Sequence, residues 1–140
     1  MRFKVMRGFG QDDFIPISAE ELEKAIYAHI TGKTAVFENG SINGSHISAV
    51  MPDFHATMGW NYGHKLGPDD WHELRSTGQE SKHKLLLANA KEKVQYLMEN
   101  NQEHLIGKNV EIPMLTQRAS GHPSEMDNEI SRVVASKRMP

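Results

Sequence analysis

The stretch Ser18-Ala19-Glu20-Glu21-Leu22-Glu23-Lys24-Ala25-Ile26-Tyr27-Ala28-His29-Ile30-Thr31-Gly32 decides how the rest of the chain is read. Ser18 is a good N-cap, and Glu21 lies at capping-box spacing from it, so each side chain can satisfy the other residue's backbone N–H. Leu22, Ala25, Ile26, His29 and Ile30 recur at helical spacing and make one apolar stripe. Gly32 supplies the left-handed stop. The pattern predicts a helix over residues 19–31 whose stripe packs on a sheet. His29 on that stripe is expected to be a partly buried core histidine, because no partner that would tune it for catalysis is identified.

Working outward, the flanks read as strands. Residues 2–7 alternate, with Phe3 and Val5 on one side and Lys4 and Met6 on the other. Gly8 to Asp13 is a turn cluster, and Phe14-Ile15-Pro16-Ile17 returns as a second strand. Pro16 has no N–H to donate, which places that strand at a sheet edge. After the helix, Thr34-Ala35-Val36-Phe37 is β-prone, and Asn39-Gly40 and Asn43-Gly44 are hairpin-turn pairs. Residues 46–51 alternate again before Pro52, so residues 33–51 are expected to form a hairpin. Asn-Gly-Ser at 39–41 and 43–45 matches the glycosylation pattern, but turn chemistry explains both.

Residues 53–67 fit no period. Phe54, His55, Met58, Trp60, Tyr62 and His64 are cut by Gly59, Gly63 and Gly67, which reads as an aromatic loop. Pro68 suits a first helical position, and Asp69 and Asp70 suit the positive end of a helix dipole, predicting a short helix over residues 68–75. Gly78 breaks the chain. A long amphipathic helix is expected over residues 80–100, with Leu86, Ala90, Val94 and Leu97 as its stripe. Lys82, Lys84, Lys91 and Lys93 alternate with acids and read as a solvated face. Beyond Lys108 the composition shifts. Pro113 and Pro123 mark a linker, and Met126, Ile130, Val133 and Val134 form a weak amphipathic turn suited to folding against a partner.

Composition bounds the function. With 140 residues, 38% hydrophobic and 7% aromatic, the chain can build one modest core. Its net charge of −2 argues against a general nucleic-acid binder. The absence of cysteine excludes disulfides, thiolate metal sites and cysteine nucleophiles. No run reaches membrane-span length and no secretory h-region is present, so a cytoplasmic protein, or one delivered with a particle, is expected. Gly32-Lys33-Thr34 resembles the end of a phosphate loop, yet it leaves a helix and enters a strand, the reverse of the required order.

The segments from Ile30 to Phe37, Pro52-Asp53 with His55, Met58-Gly59-Trp60-Asn61, Leu66 with Asp69-Asp70-Trp71, Val94-Gln95-Tyr96-Leu97-Met98, and His104-Leu105-Ile106-Gly107-Lys108 together resemble a group of small, uncharacterised proteins of tailed phages and prophages. The resemblance covers about two-thirds of the chain and carries no functional residues. It implies an accessory role in infection or a place in the particle.

The expected fold is therefore α+β: a small antiparallel sheet with one packed helix, then C-terminal helices. The compact domain is expected over residues 1–107, and residues 108–140 form a linker and tail. The leading functional expectation is a non-enzymatic, phage-type protein that binds a host or phage protein, without a cofactor. Trp60, Asn61 and Tyr62, with Ile130, Val133 and Val134 in the tail, are the candidate partner-binding residues. Rigid aromatic side chains are common interface anchors, which is why the loop is singled out. Self-association is a further possibility; membrane and nucleic-acid partners are not expected. One alternative is a virion component clasping neighbours with its C-terminal arm. Another is a metal-dependent hydrolase using His55, His64 and Asp69, since imidazole and carboxylate suit borderline divalent metals, although the spacing matches no fixed signature.

Overall fold

A computed structural model of the chain describes residues 1–8 and 13–113. The tail residues Ile130, Val133 and Val134 lie outside the described residues. The fold is α+β, as the patterning predicts.

Alternation makes β1, Arg2–Arg7, in which Phe3 and Val5 are wholly buried. β2, Phe14–Ser18, pairs antiparallel with it, Phe3 opposite Ile17 and Val5 opposite Ile15. Ile15 and Ile17 therefore fall on the same buried face. Pro16 sits in this edge strand, where a missing donor costs no ladder bond.

The predicted helix starts as a 3-10 turn, Ala19–Glu21, and continues as α1, Leu22–Thr31, with Gly32 left-handed at φ 77°. The Glu21 carboxylate reaches back to the Ser18 N–H at 3.1 Å, and its other oxygen accepts the Glu38 N–H at 2.9 Å. One acid thus caps the helix and ties down the hairpin that follows. Leu22, Ala25, Ile26 and Ala28 are buried, whereas His29 and Ile30 are exposed. The expectation of a core histidine at His29 is corrected. The turn that packs on the end of α1 meets it on the Ala28 side, which leaves positions 29 and 30 facing solvent.

The expected hairpin is shorter than the alternation suggested. β3, Thr34–Phe37, pairs with β4, Gly40–Asn43, and Glu38-Asn39 form the loop. A 3-10 turn, Gly44–His46, then carries the chain away. β5, Ile47–Pro52, joins the far edge of β1, giving the order β2-β1-β5. The second Asn-Gly pair is thus a crossover between two sheets. Its tightness explains the change of direction: Gly44 is buried, and its N–H donates to Lys33 O at 3.0 Å.

Three α-helices follow, α2, Phe54–Met58; α3, Pro68–Ser76; and α4, Gln79–Glu99; a 3-10 turn, Glu103–Leu105, comes after them. Ala90 and Val94 of α4 enter the same core as Phe3, Val5, Ile17, Leu22 and Phe37. Lys93 departs from its expected place on a solvated face. It is 9% exposed, and its ammonium donates to Glu23 Oε2 at 3.0 Å and to Lys108 O at 2.7 Å. Glu23 Oε1 accepts the Gly107 N–H at 3.0 Å. A single ion pair therefore joins α1, α4 and the segment after α4, and its hydrogen bonds offset the desolvation that a partly buried pair incurs. By contrast, Lys84 keeps the exposed i,i+4 pairing with Glu80 that the sequence suggests. Among the described residues no helix is long and apolar enough to cross a membrane.

Candidate functional site

The aromatic loop grows from one buried carboxylate. Asp53 is fully buried at the end of β5, where its N–H donates to Arg2 O at 3.0 Å. Asp53 Oδ1 accepts the Ala56 N–H at 3.1 Å and so caps α2. Gly59, left-handed at φ 75°, ends α2 after five residues. The Trp60 N–H then folds back onto His55 O at 2.8 Å.

The next turn is held by Asn61. Its side-chain oxygen accepts the Gly63 N–H at 2.8 Å, and its carbonyl accepts the His64 N–H at 2.9 Å. This is an Asx turn, in which a short side chain replaces a backbone partner. It aims Tyr62 back at the protein, where its hydroxyl donates to Asp53 Oδ2 at 2.7 Å. Partial burial first, and the bond to Asp53 second, push the Tyr62 phenol up to about 12. Tyr62 therefore remains a donor near neutral pH. Its ring stays half exposed and meets Phe14 of β2 edge-on, with centroids 5.2 Å apart.

The remaining rings gather on the same loop. His55 stands perpendicular to Trp60 at 6.3 Å and tilts against Tyr62 at 5.8 Å, and Trp60 lies 5.6 Å from His64. His55 Nε2 donates to His64 O at 2.7 Å, which leaves Nδ1 without the proton in neutral His55. His64 Nε2 lies 3.0 Å from Asp70 Oδ2, which also accepts the Gly67 N–H at 2.9 Å. The Gly67 bond holds the Asp70 carboxyl below the usual carboxylate range, and His64 adds to the effect.

His55, Trp60, Asn61, Tyr62 and His64 are thus brought together, whereas Asp69 is exposed and the acid beside His64 is Asp70. Of the three candidate metal ligands, His55 is bonded to His64 O and His64 to Asp70. Among the described residues no group of three or more histidine, aspartate or glutamate side chains could hold a metal ion. Trp71 packs half-buried and edge-on against Phe54 at 6.1 Å, with Arg75 over its ring.

Sequence reasoning missed His83. It is fully buried on α4, 5.2 Å from Phe3 and 5.0 Å from Phe54. Its Nδ1 donates to Gln79 O at 2.6 Å, and its Nε2 faces Thr57 Oγ1 at 3.0 Å. Thr57 Oγ1 also accepts the Arg2 N–H at 3.0 Å. Nε2 of neutral His83 accepts a hydrogen bond from the Thr57 hydroxyl; if His83 is protonated, that hydroxyl can turn to Asp53 O, 2.8 Å away. The signal was available, because His83 extends the Leu86, Ala90, Val94, Leu97 stripe one turn backward. The flanking lysines, Lys82 and Lys84, hid it.

Burial holds His83 below its ordinary value, with the Gln79 bond opposing. Between that lowered value and the unfolded value of about 6.5, the unfolded chain binds more protons. Stability is therefore complete above the unfolded value and is lost as pH falls through the folded one. Urea midpoints measured from neutral to mildly acidic pH should fall more steeply for the native protein than for His83→Asn. Parallel curves would show that His83 does not titrate across folding.

Comparison with family models, curated proteins and solved structures finds no match to this chain.

Proposed function

We propose that this protein is a non-enzymatic interaction protein that captures a protein partner through the Trp60-Asn61-Tyr62 loop. The carrying observation is that the loop is ordered by its own bonds before any partner arrives. Gly59 stops the helix, Asn61 closes the turn, and Asp53 pins Tyr62. Pre-ordering lowers the entropy cost of association, and large rings with few rotors supply contact area. The bonds of His55 and His64 to His64 O and Asp70 favour this reading over metal-dependent hydrolysis. The resemblance to small phage proteins supports placing the partner in an infected cell or a particle.

Tyr62 holds a buried carboxylate, so Trp60 is the cleaner probe. The tagged full chain and Trp60→Ala are compared for proteins retained from infected cells, with exposed Lys91→Ala as the control. Capture is expected from the native protein and Lys91→Ala and lost from Trp60→Ala, with all three keeping one circular-dichroism spectrum. Equal capture by all three would overturn the assignment of the loop.

A further inference from the structure

The two Asn-Gly pairs are chemically alike and structurally opposite. Asn-Gly is the dipeptide most open to intramolecular attack on the side-chain amide, because glycine places no Cβ beside the attacking nitrogen. That attack requires the glycine nitrogen to reach Asn Cγ, so the local backbone must be free to turn.

Asn43-Gly44 does not have this freedom. Asn43 Oδ1 accepts from Ser45 N–H at 3.0 Å and from Ser45 Oγ at 2.8 Å. The Gly44 N–H is committed to Lys33 O at 3.0 Å. Gly44 is buried, and a Cβ built there would meet Ala28 O, with Ala28 C at 2.6 Å and Lys33 O at 2.7 Å. Turning this nitrogen toward Asn43 would break the packing between the crossover and α1. Asn39, by contrast, is exposed in the two-residue loop between β3 and β4; its side chain is held by one bond, Nδ2 to Pro16 O at 3.1 Å, and Gly40 is held only by its pairing with Phe37 at the open end of the hairpin, with no backbone packed against it.

We propose that Asn39 is a site of spontaneous deamidation and that the fold protects Asn43. The Gly40 nitrogen gives up its proton and forms a bond to Asn39 Cγ. The Cγ–Nδ2 bond breaks, ammonia leaves, and a five-membered succinimide remains. Water then opens either carbonyl, giving aspartate or isoaspartate; no oxidant or reductant takes part. The product has consequences for the fold. A carboxylate cannot donate to Pro16 O, so the tie between the hairpin loop and β2 becomes a repulsion, beside Glu38 and the Glu21 carboxylate that holds its N–H. The modification marks aged molecules and loosens the hairpin from the main sheet.

The full chain is incubated at mildly alkaline pH, digested, and the two asparagine peptides are followed by mass spectrometry; a parallel sample is incubated in concentrated urea. In the native protein Asn39 should convert at least about tenfold faster than Asn43, the factor expected from the extra hydrogen bonds that Asn43-Gly44 must break. In urea the two rates should converge. Equal native rates, faster conversion at Asn43, or an unchanged Asn39 would overturn the proposal.

Discussion

Gly44→Ala should lose a large part of the stability of the native structure. Gly44 is not held for its dihedral freedom, since it is absent from the residues with positive φ among those described. It is held for space. A Cβ at this position would lie 2.6 Å from Ala28 C and 2.7 Å from Lys33 O, well inside the ordinary contact distance of about 3.5–4.0 Å between non-bonded carbons. Both obstacles are backbone, so no rotamer change relieves them. Relief requires the crossover to move away from α1. That movement would break the bond from Gly44 N–H to Lys33 O and disturb Ala28, whose carbonyl accepts the Gly32 N–H that ends α1. The cost should exceed about 4 kcal/mol, in the range reserved for a few severe mechanisms. A domain of this size has about 5–15 kcal/mol in total. Urea denaturation at 25 °C should find the midpoint of Gly44→Ala far below the native one, while Gly32→Ala, with open space at its Cβ, should lose far less. A folded Gly44→Ala with a native midpoint would show that the crossover does not pack as described.

Asp53→Ala should have the second-largest effect. This carboxylate caps α2, anchors Tyr62, and sits fully buried at the end of β5. Losing the cap costs about 1 kcal/mol, and losing a hydrogen bond to a charged group costs about 1.5–3 kcal/mol. The Tyr62 hydroxyl is near water and recovers part of this, so about 2–4 kcal/mol is expected in total. Tyr62→Phe removes one of these bonds and keeps the cap, so its loss should be about 1.5–3 kcal/mol, below that of Asp53→Ala by the contribution of the cap. The order is diagnostic. If Asp53→Ala and Tyr62→Phe cost the same, the cap contributes nothing. If both are neutral, the loop is not anchored through Asp53.

Much of the architecture was legible because it rests on local signals. Period-two alternation located β1, Pro16 identified an edge strand, and Ser18, Glu21 and Gly32 bracketed α1. What was not legible depends on partners distant in sequence. Nothing around Asn43 distinguishes a hairpin turn from a crossover; the difference lies in Ala28 and Lys33. Lys93 reads as one of several exposed lysines until Glu23 is brought beside it. His29, expected in the core, is exposed, and the unremarked His83 is buried, because an apolar stripe fixes a helix face but not how far the neighbouring elements extend along it.

The candidate site was half visible. Trp60, Asn61 and Tyr62 drew attention as aromatic residues in a glycine-cut loop, and the structure places them with His55 and His64. The reason they are ordered was hidden. Asp53 reads as a residue after proline, and its burial follows from the strand pairing that places Arg2 O against its N–H. Asn61 reads as a polar contact residue, yet its side-chain oxygen is spent on holding the turn. This sharpens the division of labour: Asp53, Asn61 and Tyr62 build the platform that carries Trp60, and the proposal assigns the partner contact to Trp60.

The most direct measurement is the affinity of the captured partner for the native protein and for Trp60→Ala, by titration calorimetry on the two full chains, alongside their urea midpoints. The loop account predicts at least about a thirtyfold loss of affinity, the scale of an aromatic anchor of 2 kcal/mol or more, with Trp60→Ala still folded. Equal affinity in two equally folded proteins would contradict it.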